Sequence, residues 1–140
     1  MTLHKFIMNP DDFKTIKALG KGSFGTVNLV QAPNGKRYAL KEMAKANQDQ
    51  NSGKYFMREI STLCSLNHPA ILGFSGFSVA SEVNPSFYIC TEYMPNGSLG
   101  DVAGKPSFSP TKRTINLIGV VAGMKYVHEK NVFHRDLKPD

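Results

Sequence analysis

The sequence predicts an α+β fold: an antiparallel five-stranded sheet with one helix, followed by the first helices of an α-helical second lobe. Three observations carry that expectation. Short, partly alternating, β-branched runs are separated by glycines and by Asn34-Gly35 along the opening stretch. Phe56, Ile60 and Leu63 recur at helical spacing ahead of two more short apolar runs. Beyond Met94-Pro95-Asn96-Gly97 a long apolar segment starts at Ser109-Pro110, a strong helix-start pair.

The elements follow in order. Phe13–Leu19 reads as a strand with imperfect alternation, and after a glycine cluster Thr26–Val30 alternates and is β-branched. Asn34-Gly35 predicts a hairpin turn because both residues tolerate positive φ, so Lys36–Met43 returns as the third strand of a meander. The helix is placed at Asn51–Leu66 and stopped by Asn67-His68-Pro69, since proline disfavours helix in the residue before it. Ile71–Val79 and Ser86–Thr91 are the remaining strands, joined by a loop at Ser81–Pro85. Met94-Pro95-Asn96-Gly97 breaks the pattern and reads as a linker between lobes.

The last helix runs from Ser109-Pro110 to about Lys130. Between Ile115 and Val127 only Asn116 and Lys125 are strongly polar. A helix apolar on every side has to be buried, and burying one large aliphatic side chain is worth about 1.5–3 kcal/mol. The segment is too short to span a bilayer, and few residues follow it. The expectation is therefore that further chain, or another protein, covers Ile115–Val127.

Composition narrows the function classes. The chain has 140 residues, 41% hydrophobic and 20% charged, enough for a domain with a real core. Met1–Pro10 shows scattered charge without a continuous apolar run, which excludes a secretory leader of ordinary form. Cys64 and Cys90 lie in apolar or mixed runs and read as reduced thiols, hence a cytoplasmic setting. The net charge of +6 is dispersed, with no basic run that points to nucleic acid and no apolar run that points to a membrane.

Four motifs carry chemistry. Gly20-Lys21-Gly22-Ser23-Phe24-Gly25-Thr26-Val27 is a G-x-G-x-x-G-x-V pattern, whose glycines let backbone N–H groups approach phosphate. A dinucleotide site needs a helix straight after the third glycine, whereas Thr26–Val30 reads as strand. In Tyr38-Ala39-Leu40-Lys41, period two puts Ala39 and Lys41 on one face: a small residue leaves room for a flat base, and a lysine reaches phosphate oxygens. Glu59 is an acid on a core-packing helix, suited to hold Lys41 in position. Taken singly, these three also fit a plain glycine turn, a solvated lysine and an exposed helix acid. His134-Arg135-Asp136-Leu137-Lys138-Pro139 is the most specific: Asp136 can accept a hydroxyl proton, and Lys138 can neutralise charge on a transferred phosphoryl group.

Together these motifs, in this order and spacing and with Asn67-His68-Pro69 between them, resemble the eukaryotic-type protein kinase family from about Asp12 to Asp140. The resemblance implies an N-lobe at 1–91 with an N-terminal extension at 1–11, a hinge at 92–97, and the start of a C-lobe at 98–140. It implies ATP as ligand. Gly20, Lys21, Gly22, Ser23, Phe24 and Gly25 would cover the phosphates, and Val27 and Ala39 would sandwich adenine. Thr91 falls at the gatekeeper position, and Glu92 to Met94 would bind the adenine edge through backbone groups. Lys41 would contact phosphates and pair with Glu59, Asp136 would be the catalytic base, and Leu63, Phe74 and His134 would join an apolar stack. Lys138 beside Asp136 is similar to serine/threonine kinases, and Thr91–Leu99 is reminiscent of the tyrosine-kinase-like group.

The departures are equally concrete. The family's magnesium-binding asparagine falls two positions after Pro139, one beyond Asp140, so the magnesium ligands lie outside this chain, as do the Asp-Phe-Gly and Ala-Pro-Glu segments. Two function classes follow: a portion of a serine/threonine kinase acting on protein substrates and inactive alone, or a truncated non-catalytic nucleotide-binding or interaction module. A dinucleotide-binding oxidoreductase is the third reading, and it requires a helix directly after Gly25.

Overall fold

The computed structural model describes residues 3–22, 25–43, 52–81 and 85–139. Ser23 and Phe24 of the glycine motif, Asn51 at the expected helix start, positions 82–84 of the expected loop, and Asp140 lie outside the described residues.

Five antiparallel strands form one sheet: β1 (Lys14–Gly22), β2 (Gly25–Gln31), β3 (Arg37–Met43), β4 (Phe74–Ser78) and β5 (Phe87–Glu92), in the order β1-β2-β3-β5-β4. The predicted five-stranded antiparallel sheet is thus present. Strand β1 alternates imperfectly because its register with β2 shifts between Thr15 and Lys17 and between Ala18 and Gly20, which sets Ile16 and Leu19 out of phase. The β2–β3 turn falls at Asn34-Gly35, as the sequence predicts. Only Gly35 has positive φ (81°), whereas Asn34 instead accepts a hydrogen bond from the Lys36 N–H (3.0 Å) through its side chain.

Directly opposed residues share a sheet face. Val27 opposes Lys41, Leu29 opposes Ala39, Ala39 opposes Thr91, and Lys41 opposes Ile89. On that face helix α1 (Ser52–Ser65) packs Phe56 and Ile60 against Phe77 and Ile89. The opposite face carries a second cluster of Val30, Leu40 and Cys90. Burial drives the Cys90 thiol pKa up to about 11, because a thiolate there would have no water to solvate it.

The chain divides into two compact units. One holds Met1–Ser65 and Gly73–Tyr93, the other Leu66–Leu72 and Met94–Asp140. Residues 66–72 therefore belong with the second unit, although they sit within the first lobe of the sequence reading. Three contacts explain it. His68 stacks on Tyr126 (5.0 Å between ring centroids), the Tyr126 hydroxyl accepts the Asn67 N–H (2.9 Å), and Ala70 and Ile71 sit against Gly123. This is also why β4 starts at Phe74 rather than at Ile71.

The second unit contains α2 (Leu99–Ala103) and α3 (Pro110–Glu129). Ser109 caps α3 by accepting the Lys112 N–H, with Pro110 in the first turn, as the sequence predicts. Asn131, at φ 57°, follows its C-cap in the left-handed region. Helix α2 has no strong periodicity to announce it. A reciprocal cap makes it: Ser98 accepts the Asp101 N–H, and the Asp101 carboxylate accepts the Ser98 N–H. Those bonds, backbone first, hold the Asp101 carboxyl below the usual carboxylate range. Among the described residues no helix is long and apolar enough to cross a membrane.

Candidate nucleotide site and catalytic loop

The glycine motif is the β1–β2 hairpin. Gly20 pairs with Val27, Lys21 with Thr26, and Gly22 with Gly25. Strand, not helix, follows the third glycine, which removes the structural requirement of a dinucleotide fingerprint.

The three glycines have different causes. Gly25 adopts φ +125°, and a Cβ there would lie 2.0 Å from the Glu42 carbonyl oxygen, so internal packing alone demands glycine. At Gly20 and Gly22 a Cβ would meet nothing within 4 Å among the described residues. Packing gives no reason for glycine at these two positions. They leave a bare backbone beside open space, which is the room a phosphate chain needs.

Val27, Ala39, Lys41 and Thr91 share one sheet face, as their register shows. Lys41 is half-buried there. Helix α1 packs on the same face, and its Glu59 is exposed to solvent. Glu92 is fixed by Gly73: its N–H donates to the Gly73 carbonyl (2.9 Å), and its carboxylate accepts the Gly73 N–H. Met94 is exposed and begins the second unit's share of the linker.

In the second unit the His134–Pro139 loop is locally ordered. His134 Nδ1 accepts the Asp136 N–H (3.4 Å), and Lys138 Nζ lies 3.6 Å from Asp136 Oδ2. The Pro139 carbonyl accepts the Gly100 N–H (2.7 Å), tying the loop to α2. Sequence reasoning missed that tie. Its only signal was the Ser98-x-x-Asp101 pattern that creates α2. Arg135 holds φ 62°, a conformation costing a non-glycine residue about 1–3 kcal/mol, and such strain concentrates at functional sites.

The fold therefore groups Gly20, Gly22, Val27, Ala39, Lys41 and Thr91 in the first unit, and Asp136 with Lys138 in the second. Among the described residues no group of three His, Cys, Asp or Glu side chains is placed to hold a metal ion.

Known proteins resemble the chain over most of its length. The profile of the protein kinase domain matches residues 13–140. The chain is 34% identical over 133 residues to the serine/threonine kinase NLK of Caenorhabditis elegans, covering 91% of this chain and 21% of that protein. It is 37% identical over 126 residues to the probable serine/threonine-protein kinase drkB of Dictyostelium discoideum, covering 86% and 17%. It is 34% identical over 132 residues to an Aurora kinase of Eremothecium gossypii, covering 92% and 35%. The chain thus spans well under two thirds of the length of these relatives.

Proposed function

The chain belongs to the protein kinase family, and from that membership we propose that it forms the ATP-gripping portion of a protein serine/threonine kinase. In the whole protein, the γ-phosphate of ATP passes to Ser or Thr hydroxyls of a protein substrate. The first lobe is residues 1–91, the hinge 92–97, and the second lobe begins at 98.

The observation that carries this reading is the contrast within the glycine hairpin. Gly25 is required by packing, whereas among the described residues Gly20 and Gly22 stand beside open space on a hairpin that leads to Val27 and, across the sheet, Lys41. A glycine that no internal neighbour requires is best explained by what must approach it from outside. Bound ATP supplies the phosphoryl group. Lys41 draws its phosphate oxygens toward the Val27–Ala39 face, where the small Ala39 leaves room for adenine. In the second unit the Asp136 carboxylate takes the proton of the attacking hydroxyl, and Lys138 offsets the charge that develops. The thiols of Cys64 and Cys90 are both free, in keeping with a reducing, cytoplasmic setting.

The test is ligand-induced stabilisation. ATP raises the melting temperature of the chain by a small amount that grows with ATP concentration. Lys41→Met removes that dependence without lowering the melting temperature of the unliganded chain by more than a degree or so, as expected for a partly exposed side chain. Equal responses to ATP in the two proteins would overturn the reading.

A further inference from the structure

Strand β4 ends the sheet, and an edge strand exposes a row of unpaired backbone groups. Here the chain's own N-terminal segment meets that edge. Ile7 forms a parallel bridge with Phe77, and the Met8 N–H donates to the Phe77 carbonyl (2.9 Å). The approach is close: a Cβ on Gly76 would lie 2.8 Å from the Phe6 carbonyl oxygen, so glycine at 76 is what admits the segment.

The segment also crosses from one side of the sheet to the other. Leu3 and Phe6 pack on the cluster of Phe56, Ile60, Phe77 and Ile89, which Leu63 and Cys64 of α1 also join. The Phe6 ring lies 5.2 Å from that of Phe74. Further along, Met8 and Phe13 pack on the opposite cluster of Val30, Leu40 and Cys90, and Phe13 meets Tyr38 edge-on at 5.9 Å. A 3-10 turn at Pro10–Asp12, capped by Asn9, redirects the backbone between Met8 and Phe13. Lys5 is near enough to Cys64 to offset part of the upward pKa shift that burial gives this thiol. Among its described residues helix α1 buries only Phe56 and Ile60 outright, while Tyr55, Arg58 and Glu59 face water, so its seat is narrow. Leu3 and Phe6 extend that seat.

We propose that residues 3–13 are an intrachain clasp that seats α1 against the sheet, with Phe6 as its principal positioning residue. Phe6 acts through the helix. Where α1 sits decides how far Glu59 stands from Lys41, the two residues that the nucleotide reading assigns to one ion pair. Only this consequence rests on the proposed function; the seating of α1 does not.

The two cysteines supply the test. Cys64 reports the α1 seat, and Cys90, buried in the other cluster, reports opening of the whole sheet. The full chain is treated with a thiol-specific alkylating reagent under native conditions, and each cysteine is followed by mass spectrometry. Phe6→Ala raises the Cys64 rate about tenfold and leaves Cys90 within about twofold, the signature of local rather than global opening. Phe6→Leu, which keeps an apolar plug, restores the Cys64 rate. Gly76→Ala, which disturbs the clasp from the strand side, reproduces the selective effect. An unchanged Cys64 rate in Phe6→Ala, or parallel acceleration of both thiols in Phe6→Ala and Gly76→Ala alike, overturns the clasp. Lys41→Met abolishes ATP-dependent stabilisation under the nucleotide reading and leaves the Cys64 rate at its starting value, so the two proposals fail separately.

Discussion

Helix α1 buries Phe56 and Ile60 to 2% and 0% exposure, whereas α3 leaves Ile115, Leu117, Ile118 and Val121 at 62%, 60%, 63% and 67%. The less apolar helix is thus the better buried at its apolar positions. In α1 the apolar residues fall on one stripe, and the sheet face with Phe77 and Ile89 matches that stripe. In α3 they surround the axis, and among the described residues only the Gly123 and Val127 positions are buried, with Ala70 and Ile71 against Gly123. Composition states how much surface a helix needs to hide. The neighbours brought by the fold decide how much is hidden.

That contrast can be broken by mutation. The largest expected effect is at Ile60: Ile60→Ala costs about 2–5 kcal/mol, while the chemically similar Ile118→Ala stays within about 0.5 kcal/mol. Urea unfolding of the two variants decides it, and equal losses would mean that α3 is buried after all. A finer comparison lies within α3. A Cβ on Gly123 would come 2.9 Å from the Ala70 carbonyl oxygen, whereas one on Gly119 meets nothing within 4 Å. Gly123→Ala therefore destabilises by roughly 1–3 kcal/mol through overpacking, and Gly119→Ala stabilises by about 0.5–1 kcal/mol through helix propensity. Circular dichroism melts of the pair give the two signs.

A further contrast concerns the sheet interior. The folded Cys90 thiol titrates near 11 against 9.0 for a solvated one. Because the folded value is the higher, the folded state keeps a proton that the unfolded chain has lost. Stability is unaffected below pH 9 and falls as pH rises from 9 toward 11. Melting temperatures across that window show the decline in the parent and a shallower one in Cys90→Ala; identical slopes would mean that water reaches the thiol.

Most elements were legible because their signals are local. The Ser109-Pro110 start places α3 within a residue of its observed bounds, and the alternation of β3 puts Ala39 and Lys41 on one face, as its register with β2 and β5 has it. What escaped was either too short to show a period or dependent on distant partners. Helix α2 is five residues held by one capping pair, too short for periodicity to register. The N-terminal extension looked like scattered charge because Leu3, Phe6 and Met8 follow no sustained period; Leu3 and Phe6 pack on one face of the sheet and Met8 on the other. In the site, the motif spacing identified the glycines but not their separate causes, since the Glu42 carbonyl that forbids a side chain at Gly25 comes from β3. Nor does spacing set the orientation of α1, which turns Glu59 toward water.

By itself, then, the sequence determined the order of the strands, α1 and α3, the turn between β2 and β3, and the start of α3. These depend on backbone preferences and side-chain periods within a few residues. Only the tertiary structure decided that residues 66–72 join α3, that Ile7 pairs with Phe77 of β4, and that among the described residues Gly20 and Gly22 face open space while Gly25 does not. Each of those is a contact between segments far apart in sequence, and a local pattern carries no information about which distant surface will arrive.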